Sequence, residues 1–280
     1  MKRWVLFLVA LIVLLLLLAY TKTRSCYPIK QGQEIPKIIW SFWDSDDIPP
    51  FVQKCVDSWK KFNPDYTVNF MTKSTLGKYL GEEEAQALIN WKFNDSPQRL
   101  SDLVRLSAVS KFGGVWLDAS VVCFKSFNWL QEEQSDCVLF SIKELSKDPT
   151  IESWFIAAIP EHPYVIAWNN EFRGIDKYNS VDEYIKISGT NQDAIAYNIN
   201  YLVVYLCARK VYHDYGEESV KILSASDGPY EYMVKGGIKS LCDSRNSFAK
   251  FRKDERAEMT AEVEACIFNP REEQDAPNNS

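Results

Sequence analysis

Apolar blocks alternate with polar breaks along the chain, and the blocks differ in period. Trp4 to Tyr20 is an unbroken apolar run of 17 residues preceded by Lys2 and Arg3. As a helix it spans roughly 25 Å, short for an average bilayer core but close to the thinner membranes of the early secretory pathway. The run exceeds the ~7–15-residue apolar core of a cleaved signal, and no A-x-A-like site follows it. The pattern therefore predicts an uncleaved membrane anchor over 4–20, with residues 1–3 cytoplasmic and the rest lumenal or extracytoplasmic. A cleaved signal peptide is the alternative, and Lys22 and Arg24 on the far flank weaken the charge argument for orientation. Residues 21–34 are polar and read as a stem.

Beyond the stem, Lys37 to Trp43 has the composition of a buried strand and ends in the acidic turn Asp44-Ser45-Asp46-Asp47. Pro49-Pro50 opens a helix whose apolar face is Val52, Cys55, Val56 and Trp59, at helical spacing. Asn63-Pro64-Asp65 breaks it, and Tyr66 to Met71 is a second strand. Strand, helix, strand at this spacing predicts a parallel pair joined by a crossover. Helical patterns follow over 82–92 and 96–112. Ser96 is placed to cap the second, with Pro97 at its first turn and Gly113 as its stop. Val115 to Asp118 is a short strand, and apolar runs cover 137–142 and 153–159. A long helical pattern lies within 191–212, and a last helix within 258–266. Residues 267–280 form a polar, disordered tail. Nothing divides residues 35–266, which read as one α/β domain.

Charge adds a constraint. The chain holds 32 basic and 38 acidic side chains, and the first twenty residues take two of the basic ones and none of the acidic. The remaining 260 residues therefore carry a net −8, which excludes sequence-independent nucleic-acid binding, since that needs a basic footprint. Any polyanion must be met in a local pocket. The seven cysteines show no C-x-x-C metal pattern, and an odd count excludes complete intrachain pairing. Up to three disulfides are compatible with the sequence, and Cys207, inside an apolar run, reads equally as a buried thiol. His162 and His213 have acidic neighbours but no other mark of chemistry.

The candidate chemistry lies in Ser101-Asp102-Leu103-Val104-Arg105 and in Gly113-Gly114-Val115-Trp116-Leu117-Asp118-Ala119-Ser120. A helix ends at a glycine pair that turns the chain sharply into a strand. That strand delivers Asp118 at its carboxyl end, where open α/β sheets place ligands. Asp118 and Ser120 are two apart, and Asp102 and Arg105 are three apart, so each pair shares a face. Their convergence suits a hydroxyl-rich ligand bearing a metal-bound diphosphate. Taken alone, Asp102 and Arg105 read more simply as a surface ion pair, and D-x-S carries little information.

Four blocks in order raise the specificity. They are Ile35-Pro36-Lys37-Ile38-Ile39-Trp40-Ser41-Phe42-Trp43, the stretch from Cys55 to Tyr66 (C-x-x-S-W-x-x-x-N-P-D-Y), S-D-L-x-R at 101–105 and G-G-V-W-L-D-A-S at 113–120. Together they resemble the capsular polysaccharide synthesis proteins, relatives of the glycosyltransferase family 32 enzymes that carry a DXD sugar-binding region. The likeness is strong over about residues 35–130. It implies a GT-A fold, Rossmann-like, that moves a sugar from a nucleotide-sugar donor to a glycan or polysaccharide acceptor with retention. It further implies that Trp43 stacks on the base, Asp102 and Arg105 hold donor-sugar hydroxyls, and Asp118 bridges sugar or ribose and a metal ion.

Position 120 departs from the family, because many relatives carry a second Asp where this chain has Ser120. A neutral hydroxyl is a weaker ligand for Mn²⁺ or Mg²⁺ than a carboxylate, so the ion would lean on the diphosphate and another acid. Asp193, in Gly189-Thr190-Asn191-Gln192-Asp193, resembles the N/D-Q-D element of several such enzymes and is a second catalytic candidate. A helix-capping carboxylate is its alternative. Lys250, Arg252 and Lys253 could approach a leaving diphosphate, although a solvated charge run reads more simply. Ser120 also motivates a rival reading, an inactive homologue that binds glycans or nucleotide sugars at the membrane.

Overall fold

The computed structural model describes residues 33–142, 149–189, 199–215, 219–243 and 245–268. The anchor predicted over 4–20, nearly all of the stem, Asp193 and the tail from 269 onward lie outside them. Among the described residues no helix is long and apolar enough to cross a membrane.

The described residues form eight strands: β1 (Ile38–Trp43), β2 (Thr67–Thr72), β3 (Gly114–Leu117), β4 (Val121–Cys123), β5 (Cys137–Ile142), β6 (Thr150–Ala158), β7 (Lys221–Ser224) and β8 (Phe248–Lys250). Six form a mixed sheet in the order β2-β1-β3-β6-β5-β7, while β4 and β8 pair separately. β1 is parallel to β2, as the strand–helix–strand pattern predicts, and also to β3. β6 runs antiparallel to β3 and β5, and β7 is parallel to β5. The carboxyl ends of β1, β2, β3, β5 and β7 therefore share one edge with the amino end of β6.

The described helices are α1 (Pro50–Phe62), α2 (Leu76–Leu80), α3 (Glu82–Ile89), α4 (Pro97–Phe112), α5 (Trp129–Glu132), α6 (Pro163–Arg173), α7 (Val181–Ile187), α8 (Val203–Tyr215), α9 (Glu231–Val234), α10 (Lys253–Ala257) and α11 (Ala261–Phe268). Strand alternation splits their packing into two layers. Trp40, Phe42, Trp116 and Ile156 face the layer of α4, α6 and α8. Ile39, Val115, Leu117 and Phe155 face α1 and the β4–β8 pair. The chain thus leaves β1 over one face through α1 and returns to β3 from the other face through α4. This reversal makes the β1–β3 boundary a topological switch point, the usual ligand crevice of an open α/β sheet.

Element ends follow local chemistry. Ser96 caps α4 by accepting the Arg99 amide at 3.3 Å, and Gly113 ends it, as the sequence predicts. α3 stops at Ile89, short of the predicted 92, because the Asn94 side-chain amide donates to the Ile89 carbonyl at 2.8 Å. The last helix starts at Ala261, not 258, where the Thr260 hydroxyl accepts the Val263 amide. α8 occupies only the later part of the predicted 191–212 pattern and extends to Tyr215; residues 190–198 lie outside the described set.

Candidate functional site

The Gly113-Gly114 turn sets the register that places Asp118. Gly113 has φ +63° and Gly114 φ +93°, conformations that side chains rarely adopt. A Cβ on Gly113 would meet the Pro160 nitrogen at 2.5 Å, and one on Gly114 the Ile38 carbonyl at 2.6 Å. Trp40 Nε1 donates to the Gly113 carbonyl at 2.8 Å, which ties the turn to β1. β3 then leads to Asp118, whose amide donates to the Trp154 carbonyl on β6 at 3.0 Å.

Asp118 takes donors on both carboxylate oxygens. Its Oδ1 accepts from Arg105 Nη2 at 2.7 Å and Trp116 Nε1 at 3.1 Å, and its Oδ2 accepts from Lys250 Nζ at 2.8 Å. Arg105, buried on α4, also donates through Nη1 to Asp102 Oδ1 and Ser153 Oγ, and its guanidinium lies 5.4 Å from the Trp116 ring centroid. Lys250 Nζ donates in addition to Ser120 Oγ at 2.8 Å. Beside this web the Tyr205 hydroxyl donates to Glu152 Oε2 at 3.0 Å.

Burial and charge set the protonation pattern. Burial drives the Asp102 carboxyl up to about 6; Arg105 pulls it back in part, and Asp118 adds to the rise. Burial acts the same way on Asp118, but Lys250 and then Arg105 outweigh it and hold that carboxyl well below the usual range. Burial alone would weaken the Arg105 charge, yet Asp118 and Asp102 overcome it and raise the guanidinium. Glu152, which has no cation in direct contact, is pushed by burial up to about 7, against the Tyr205 hydrogen bond. The site thus presents one firmly ionised carboxylate, about a quarter exposed, backed by a fixed guanidinium. Such a group can accept ligand hydroxyls without rearranging.

Asp102, Arg105, Asp118 and Ser120 come together as the sequence predicts. Trp43 ends β1 at the same edge, half-buried and in register with Thr72, while Trp40 is core. Asp193 lies outside the described residues. Of the late basic run, Arg252 and Lys253 stay out of the web, and Arg252 pairs with Glu255. Lys250, by contrast, is inside the site and not part of a solvated run: its side chain is only 12% exposed. Ser153, Glu152 and Tyr205 were not candidates from the sequence. The available signal was the pair of polar residues interrupting the apolar start of β6, which a buried strand excludes unless they are partnered. His162 sits buried beyond the other end of β6, where burial lowers its pKa to about 4, and plays no part here.

The divalent ion implied by the resemblance can be tested against these atoms. Every oxygen that Asp118 and Ser120 would offer it already accepts from Arg105, Trp116 or Lys250, so an ion there would stand against a like charge. Among the described residues no group of three or more His, Cys, Asp or Glu side chains could hold a metal. As arranged, the residues do not fit the ion.

An open α/β sheet with a carboxylate–guanidinium web at its switch point is an α/β fold whose crevice has the chemistry to take a polar ligand. The family follows from comparison: the profile described as capsular polysaccharide synthesis protein matches residues 20–215, and the chain belongs to that family. It is 26% identical over 155 residues to the O-glycosyltransferase braB of Annulohypoxylon truncatum, covering 49% of this chain and 37% of that protein. It is also 26% identical over 162 residues to the mannosyl phosphorylinositol ceramide synthase SUR1 of Saccharomyces cerevisiae, covering 56% and 40%. The chain therefore matches about two-fifths of the length of these relatives. The ligand-free glycosyltransferase domain of the YGT toxin aligns with TM-score 0.45 at 10% identity, over 69% of this chain and 80% of that one.

Proposed function

We propose that the protein is a membrane-anchored glycosyltransferase of GT-A type that moves a sugar from a nucleotide-sugar donor to a glycan or polysaccharide hydroxyl. The observation that carries the reading is Arg105, clamped between Asp102 and Asp118 at the switch point with Asp118 open to solvent. The family and the glycosyl-transfer names of both relatives support it.

In this reading Trp43 stacks on the donor base at the end of β1, and Asp118 accepts donor hydroxyls while Arg105 holds its orientation. The bond between the anomeric carbon and the diphosphate oxygen breaks with its electron pair going to the diphosphate. The acceptor oxygen bonds to the anomeric carbon from the same face, and its proton passes to the departing phosphate oxygen, which gives retention. The 4–20 run supplies the anchor and places the domain on the lumenal or extracytoplasmic side. The Cys242–Cys266 disulfide supports that side, because such bonds persist in oxidising compartments.

A donor-hydrolysis screen across nucleotide sugars, with the full chain in detergent, tests the proposal. Release of the nucleoside diphosphate from one donor is the expected result. Binding by calorimetry without any release would instead favour the inactive homologue, the reading motivated by Ser120.

A further inference from the structure

We infer that Lys250 takes the place of the divalent cation in this site, so that the leaving diphosphate is bound by an ammonium group built into the chain. The inference rests on the transferase reading above and identifies which group meets the donor phosphates.

Lys250 Nζ lies 2.8 Å from Asp118 Oδ2 and 2.8 Å from Ser120 Oγ, the two atoms that the D-x-S pattern would otherwise give to an ion. An ammonium has three donors, and these two contacts leave one for a phosphate oxygen. A lysine this far buried is found almost only where its charge is paired. The pairing here is to the carboxylate that faces the ligand crevice.

The residue at position 120 matches the lysine. A carboxylate there would place a third anion beside Asp102 and Asp118, against the two cations Arg105 and Lys250. A serine hydroxyl accepts from the ammonium and aims it without adding charge. The departure from the family pattern and the presence of Lys250 thus become one feature: the residue that weakens a metal site is the residue that suits a lysine.

The lysine is delivered by a firmly held strand. β8 exists in the fold as the partner of β4, and Lys250 stands opposite Val121, the residue after Ser120. The Phe251 amide donates to the Ser120 carbonyl at 3.0 Å, so the lysine strand is stitched to the same backbone whose hydroxyl the ammonium meets. The Tyr232 hydroxyl donates to the Lys250 carbonyl at 2.8 Å, and the Lys250 amide donates to Pro229. β4 is held in turn by α1, where Trp59 Nε1 donates to the Val121 carbonyl at 2.7 Å and Ser58 Oγ accepts from the Cys123 amide at 3.0 Å. A charge fixed in this way requires no reorganisation when the diphosphate departs.

The test is calorimetric titration of the full chain with uridine, guanosine, cytidine and adenosine diphosphates, first in EDTA and then with Mn²⁺. One diphosphate should bind in EDTA, with a Kd that Mn²⁺ changes by less than about threefold. Lys250→Met, which keeps the side-chain stem, should weaken that binding by roughly 10–100-fold, the range of a charge-assisted contact, and Lys250→Arg should restore most of it. Binding that is lost in EDTA and returns with Mn²⁺ overturns the inference and leaves the transferase reading standing. So does Lys250→Met binding as tightly as the parent. Failure of every diphosphate in both conditions overturns the transferase reading itself. The EDTA comparison needs only the unmodified protein, so it decides even if the Met variant does not fold.

Discussion

Asp118 and Glu152 are both carboxylates beside one crevice, and their surroundings drive them in opposite directions. Asp118 meets two cations and stays ionised; Glu152 meets a tyrosine hydroxyl and is pushed up to about 7. For Asp118→Asn we expect donor turnover to fall by roughly 100–1000-fold, the effect of removing a fixed group that faces developing charge. The variant should keep its native circular-dichroism spectrum, and near-parental turnover would refute the site. Glu152 makes a prediction about stability. Between about pH 4.5 and 7 the folded chain holds a proton that the unfolded chain has released, so this group's contribution falls as pH rises through that window. Glu152→Gln keeps an acceptor for Tyr205 and removes the charge. It should be more stable than the parent at pH 8, by at most about 3 kcal/mol, with the advantage vanishing near pH 4.5. Urea unfolding at the two pH values measures this, and a variant less stable at pH 8 would contradict it. Asp118 has the opposite sign: its contribution is present above the unfolded carboxylate pKa and is lost as pH falls below about 4.

The turn from α4 into β3 separates what the sequence states from what only contact reveals. Ser96-Pro97 and Gly113-Gly114 announce both ends of α4, and helical spacing puts Asp102 and Arg105 on one face, while the meeting of Arg105 with Asp118 is fixed by the packing of α4 against β3. The elements were legible here because each boundary has a local cause. Ser153 and Glu152 were not, because their role depends on β6 lying antiparallel beside β3, a pairing that apolar runs do not encode. The glycine pair yields a comparison of two variants. At Gly114 an alanine meets both a disfavoured φ and the Ile38 carbonyl, whereas at Gly81, with φ +94°, nothing lies within 4 Å of an added Cβ. Gly81→Ala should cost about 1–3 kcal/mol through backbone strain alone. Gly114→Ala should cost at least about 2 kcal/mol more, because the close approach of β1 must open. Equal losses in thermal unfolding would mean that the contact between Gly114 and β1 contributes nothing.

Lys250 reaches Asp118 across 132 residues of sequence, so no local pattern could have joined them. Three returns of the chain make the site: α4 to β3, β6 beside β3, and finally β8 beside β4. The last return is the one secured covalently, for Cys242 and Cys266 bracket β8 with a sequence separation of 24 and pair with each other. Cys55, Cys123, Cys137 and Cys207 are buried free thiols, as the apolar surroundings of Cys207 allow. A loop of that length constrains the unfolded chain by about 3 kcal/mol, so the replacement of both Cys242 and Cys266 by Ser should lower the melting temperature by roughly 5–10 °C. The denatured chain should also gain two titratable thiols on reduction. An unchanged melting temperature with no gain in thiols would show the bond absent. Its effect should extend to the site: Arg245 donates to the Leu241 and Cys266 carbonyls, both at 2.7 Å, between the disulfide and β8. Releasing the bond loosens the segment that carries Lys250. Diphosphate affinity should therefore fall together with stability in the double serine variant, whereas Gly81→Ala should lower stability without changing affinity.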